Sequence, residues 1–141
     1  MKILALSEAN ILSFHSVALI AAAGEKGISV NRIAELTLCS KHHLAKVMEK
    51  LLRSNLVYST RGPLGGFHLT KPADKIFLLE IFEAINGKID EVETSNLNKS
   101  ASKAQISILE NICDDLSKRF IDFLKNTKIS DLRTKAGYLL Q

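Results

Sequence analysis

The sequence predicts a mostly α-helical protein with one small β-hairpin, and three observations carry that prediction. The first is the stretch 56–69, LVYSTRGPLGGFHL, where two short runs of apolar, β-branched and aromatic residues flank a tight RGPLGG turn. The second is the pair of segments just before it, 30–36 and 41–54, each with apolar residues at helical spacing. The third is the stretch 103–126, where Leu109, Cys113, Leu116, Phe120 and Phe123 fall at steps of four and three, the seam of a coiled coil. Helix, turn, helix and hairpin in that order make a winged helix-turn-helix. The expected organisation is therefore a winged domain over 1–87, a loop over 88–102, and a long dimerisation helix with a C-terminal segment over 103–141.

Residues 7–23 read as a buried helix, with Leu6, Ala9, Phe14, Val17 and Ile20 spaced near three and four, closed by Gly24 and Gly27. Ser29 stands where an N-cap for 30–36 belongs, and Ile33 and Leu36 supply the inward face of that helix. Ser40 is the matching N-cap for 41–54, because its hydroxyl can accept from the free N–H groups ahead of it. That helix is expected to bury Leu44, Val47, Met48, Leu51 and Leu52, and to turn His42, Ala45, Lys46, Glu49, Lys50 and Arg53 outward. In the hairpin, Pro63 fixes one corner, and Gly65 and Gly66 permit the reversal. A helix over 77–86 follows Pro72 and stops at Gly87. Residues 88–102 are polar without apolar periodicity and read as loop. Over 103–126, Ile106, Ile112, Ile121 and Leu124 widen the seam. A stripe this broad calls for a large covering surface, most simply a second copy of the same helix. The alternative is that it packs only on its own domain.

Charge narrows the function. From residue 31 to residue 75, eight lysines and arginines face three acids, whereas the chain before and after is close to neutral. A polyanion such as DNA would meet a positive surface over the helix-turn-helix and hairpin; the plainer alternative is a solvated basic face. In a winged arrangement Lys41, His42 and Lys46 would face bases or phosphates, and His43 would pack or touch phosphates. Ser29 and Ser40 would help present helix N-termini to phosphates. Arg61, at the hairpin tip beside glycines, would reach a minor groove or a phosphate.

Other classes fail on residue chemistry. The RGPLGG turn is not followed by GK[ST] and precedes a strand, so it is not a nucleotide-binding loop. Neither a Ser/His/Asp nor a Cys/His arrangement is present, and an enzyme is not expected. His42 and His43 are adjacent and point to different helix faces; His15 and His68 have no sequence partner, so no metal site is expected. Cys39 and Cys113 lie far apart without metal spacing and are expected to be buried and inert, which places the chain in a reducing cytoplasm. The longest apolar run, 17–23, is too short for a membrane span, and Ser7, Glu8, Asn10, Ser13 and His15 interrupt any signal-peptide core.

These residues together resemble the Rrf-two family of bacterial winged-helix regulators. The matching stretch is 28–87, most specifically 51–69 with RGPLGGFHL, and 113–132, CDDLSKRFIDFLKNTKISDL, is similar to the family's long dimerisation helix and closing segment. The resemblance implies a homodimeric regulator that reads double-stranded DNA, with the helix from Lys41 as the recognition helix and Arg61–Gly62 as the wing tip. The chain also departs from the family. Cluster-binding relatives carry three cysteines between the Gly87 position and the long helix, and this chain has none from 88 to 112. Ser107 falls at the third position, and Cys113 stands where many members have tryptophan. Glu91 and Glu93 are hard ligands unsuited to an iron–sulfur cluster, so no cluster is expected. Ala45 and His43 replace a frequent glutamate and aromatic, so no operator sequence carries over. The expected function is a DNA-binding repressor of a palindromic operator. The alternatives are a protein-interaction module on the same scaffold, or a sensor of an effector that the sequence does not identify.

Overall fold

The computed structural model describes residues 6–89 and 103–132, with side chains of the second stretch described from residue 108 on. At its centre lies α1 (Glu8–Ala23), capped by Ser7, whose hydroxyl accepts from the Asn10 amide at 3.1 Å. This helix has no polar face. Leu12, Val17, Leu19 and Ile20 are buried on different sides, as expected of a helix enclosed by neighbours rather than laid on a surface. Around it pack α2 (Val30–Thr37), α3 (Lys41–Arg53), β2 (Gly66–Leu69) and α4 (Leu78–Asn86). Ser29 and Ser40 sit in extended conformation and cap α2 and α3, accepting from the Arg32 amide at 3.2 Å and the His43 amide at 3.1 Å. Each cap satisfies a donor that the first helical turn leaves open.

The inward face of α3 is Leu44, Val47, Met48 and Leu51. Leu52, expected to join them, stands at the edge of that stripe and is 39% exposed. Between α2 and α3 the chain turns on Leu38, a left-handed residue with φ 54° and ψ 31°. After α3, β1 (Val57–Thr60) and β2 pair antiparallel with Val57 opposite Leu69 and Thr60 opposite Gly66. A third strand is reduced to Ile28, which exchanges backbone hydrogen bonds with Phe67 at 2.8 and 3.3 Å. This pairing requires a bare backbone, since a Cβ on Gly66 would lie 2.8 Å from the Ile28 carbonyl oxygen. Gly27 is held for two reasons, φ +69° and the His68 ring 2.4 Å from where its Cβ would be.

A short 3-10 turn (Ala73–Lys75) leads to α4, which starts one residue later than its sequence pattern suggests. Phe77 is its N-cap: its amide donates to Glu80 Oε2 at 3.0 Å, while Glu80 Oε1 pairs with Lys71. The long helix α5 (Lys103–Asn126) packs its C-terminal end on α4. Beyond it the chain runs back beside the start of α4: the Leu78 amide donates to the Thr127 carbonyl and the Ile129 amide to the Ile76 carbonyl, both at 2.9 Å. Ile76, Leu124 and Ile129 are at most 1% exposed there, joining Leu19, Ile33, Leu44, Leu51 and Ile81 in one core. Each such side chain contributes about 1.5–3 kcal/mol of transfer free energy. The expected loop at 88–102 and the C-terminal residues 133–141 fall almost wholly outside the described residues.

Candidate nucleic-acid interface

The exposed surface of α3 begins at its cap. Lys41, His42, Ala45 and Lys46 are exposed, and His43 is half-buried. Lys41, His42 and Lys46 form no hydrogen bond or ion pair among the described residues. Four amide donors point out of the start of any helix, and here the Ser40 hydroxyl takes only the one from His43. Two exposed cations without side-chain partners among the described residues, beside a positive helix end, are suited to phosphate and to base edges. The far end of the same face is different. Glu49 and Arg53 pair at 2.6 Å, and the Lys50 ammonium reaches back to the Ile85 carbonyl at 3.0 Å, tying α3 to the end of α4. Lys50, placed on the outer face by periodicity, is therefore a structural tie, and free positive charge concentrates in the first turns.

The wing is hydrogen-bonded up to its tip. Gly66 N–H donates to Thr60 Oγ1 at 3.2 Å, and Gly65 N–H to the Gly62 carbonyl at 2.8 Å, which closes the turn. His68 stacks on Tyr58 across the ladder with centroids 5.1 Å apart, and its Nε2 lies 3.2 Å from Thr60 Oγ1. Arg61 and Gly62 are both exposed at the turn, Gly62 with φ 106°, and Arg61 is unpaired among the described residues. Ser29 is exposed at the start of α2, where Arg32 spends its charge on Glu35 at 3.1 Å.

The two cysteines are half-buried rather than enclosed. Cys39 packs against the core with Sγ 3.0 Å from Thr37 Oγ1, and Cys113 lies on α5. Among the described residues no three His, Cys, Asp or Glu side chains are grouped to hold a metal ion.

The five seam residues of α5 have different surroundings. Phe120 packs edge-on against Phe82 of its own domain at 5.5 Å, and Leu124 beside it is buried. Leu109, Cys113 and Leu116 are half-buried, whereas Phe123 is 56% exposed. Ile112, expected to widen the seam, is 50% exposed, and Ile108, outside it, is 62% exposed. At about 100° per residue, Ile108, Ile112 and Phe123 lie within roughly 60° of one another. The apolar sector of α5 thus has one edge docked at home and the other facing out. Periodicity reported its width without saying which edge was covered.

Comparison with known proteins agrees with this geometry. The Rrf2 family model, described as an iron-dependent transcriptional regulator, matches residues 6–135. The HTH-type transcriptional regulator IscR of Cereibacter sphaeroides is 31% identical over 119 residues, covering 82% of this chain and 76% of its own length. A putative HTH-type transcriptional regulator of Aquifex aeolicus is 35% identical over 108 residues, 74% of each chain. Among solved structures, CymR of B. subtilis, described as the global cysteine regulator, superposes with a TM-score of 0.72 at 25% identity, covering 94% of this chain and 98% of that one. These relatives are regulators and not enzymes, and no described helix is long and apolar enough to cross a membrane. The chain belongs to the Rrf2 family of winged helix-turn-helix proteins and is a DNA-binding transcriptional regulator.

Proposed function

We propose that the protein acts as a homodimeric repressor on a palindromic operator, with α3 in the major groove and the Arg61 wing in the adjacent minor groove. The observation that carries this reading is the set of exposed cations without partners among the described residues, Lys41 and Lys46 on α3 and Arg61 on the wing, on a frame whose other α3 charges are internally paired. Ser29 and Ser40 hold two helix N-termini open to the same backbone. Dimerisation is supported by the uncovered edge of α5: Ile108, Ile112 and Phe123 are apolar, aligned and exposed in a single chain. A two-fold protein then fits a two-fold site. The test is fluorescence anisotropy on duplexes selected by the protein from a random pool. Arg61→Ala is expected to weaken binding by about 1–3 kcal/mol while the dimer persists, and affinity should fall steeply with salt. An unchanged affinity removes the wing from the mechanism, and a flat salt response removes DNA.

The family description includes iron, and the donor set of this chain does not fit a thiolate cluster. Such clusters are held chiefly by four cysteines, and this sequence has two, one in the helix-turn-helix and one on α5. We therefore propose regulation without an iron–sulfur cluster. Anaerobically purified protein should be colourless and free of stoichiometric iron; a brown sample absorbing in the visible overturns this.

A further inference from the structure

We propose that Leu64, at the outer corner of the wing, is an apolar minor-groove probe that makes the protein prefer A·T over G·C beneath the wing. This rests on the reading that the wing enters the minor groove, and adds to Arg61 a second residue of different chemistry. Leu64 is 92% exposed, while Val57 in the same hairpin is buried and Phe67 and Leu69 pack on the core. One exposed leucine is ordinary on a protein surface; its place is not. It occupies the third position of the turn from Gly62 to Gly65, closed at 2.8 Å, beyond the last ladder pair, Thr60 and Gly66. Pro63 stiffens the turn from one side and the Thr60 hydroxyl holds the Gly66 amide from the other. The tip therefore presents an exposed leucine on a closed turn, three residues from an arginine unpaired among the described residues, on a hairpin that carries no acidic residue from 57 to 69.

A surface that suits both side chains at once must be anionic at its rim and apolar on its walls. The minor groove is such a surface: phosphates edge it, deoxyribose lines it, and at about 6 Å it admits a narrow tip. Its floor then decides between base pairs. A·T offers only recessed acceptors, which a leucine covers without leaving a donor stranded. G·C raises the guanine 2-amino group into the groove, and a leucine above it displaces water and accepts nothing in return.

The experiment uses the full chain and a duplex it selects from a random-sequence pool, with the pairs under the wing located by hydroxyl-radical protection. Those pairs are changed to G·C and separately to inosine·C, which lacks the 2-amino group. Wild-type protein should bind the G·C version roughly five- to tenfold more weakly and recover on inosine·C. Leu64→Ser should bind all three duplexes within about twofold, and Leu64→Asn, which supplies an acceptor, should gain on G·C relative to A·T. Thermal melts of both variants should match wild type, since Leu64 packs on nothing. Discrimination that survives Leu64→Ser, or that inosine does not restore, overturns the inference. If Arg61→Ala is without effect on all three duplexes, the wing reading itself has failed. If Arg61→Ala weakens all three evenly while Leu64→Ser changes nothing, only the role of Leu64 has failed.

Discussion

Replacing Leu38 with glycine is expected to stabilise the protein, although it deletes a whole aliphatic side chain. Leu38 ends α2 with φ 54° and ψ 31°, a conformation in which the Cβ of an L-residue crowds the following carbonyl at a cost of about 1–2 kcal/mol. The usual counterweight, buried side-chain surface, is missing, because Leu38 is 93% exposed. Against relief of the strain stands the greater freedom of glycine in the unfolded chain, about 0.4–1 kcal/mol. The balance is a gain of about 0.5–1 kcal/mol. With an unfolding entropy of about 2.1 cal/mol/K per residue, this chain length converts that gain to a Tm increase of about 2–3 °C. Leu38→Ala is the control: it removes the same exposed carbons but keeps the Cβ, so it should move stability by less than about 0.5 kcal/mol. Thermal melts and urea titrations followed by circular dichroism measure both. A glycine variant less stable than wild type, or an alanine variant that gains as much as glycine, would show that the backbone at Leu38 is not the source of the strain.

Three further outcomes are expected. Gly27→Ala must force a Cβ against the His68 ring at φ +69°, so it should cost about 2–4 kcal/mol in urea titrations and weaken DNA binding by loosening the wing. Ser16→Ala removes a fully buried hydroxyl that has no partner among the described residues and substitutes a better helix former, so unfolding should become harder by about 1 kcal/mol. Phe123→Glu places a charge on the outward edge of α5; light scattering should show monomers in place of dimers, with the helical circular dichroism signal retained, because Phe123 is 56% exposed in the single chain.

Local signals in the sequence carried most of the winged half. Ser29 and Ser40 each stand one residue ahead of an apolar period of 3.6, and both are caps. RGPLGG could close in one way between two short runs, and the observed register places it at the tip. What was hidden depends on distance along the chain. Lys50 points outward by periodicity, yet its long side chain bends back to a carbonyl 35 residues away. Asn10 and Asn86 join the start of α1 to the end of α4 at 2.7 Å across 76 residues, and neither sits in a pattern that announces the other. Leu38 adopts a conformation that sequence normally marks with glycine, so its turn was visible only as a gap between helices. For α5, a stripe of apolar residues is the sum of two faces, and only the fold separates Phe120, committed to Phe82, from Phe123, committed to nothing described.

The stretch that brings residues 127–129 back beside Ile76 and Leu78 has a mechanical consequence. Backbone hydrogen bonds and the Lys128 ammonium above the Phe77 ring, 5.8 Å from its centre, pin the root of α5 to the body of the domain. A 24-residue helix is about 36 Å long. Anchored at one end, it behaves as a lever with its fulcrum at the root, so a tilt of about 10° there swings the far end by about 6 Å. If two copies pair through such levers, as proposed above, the separation of their α3 helices would follow the crossing angle. Spacing along a duplex would then be adjusted far from any residue proposed to touch it.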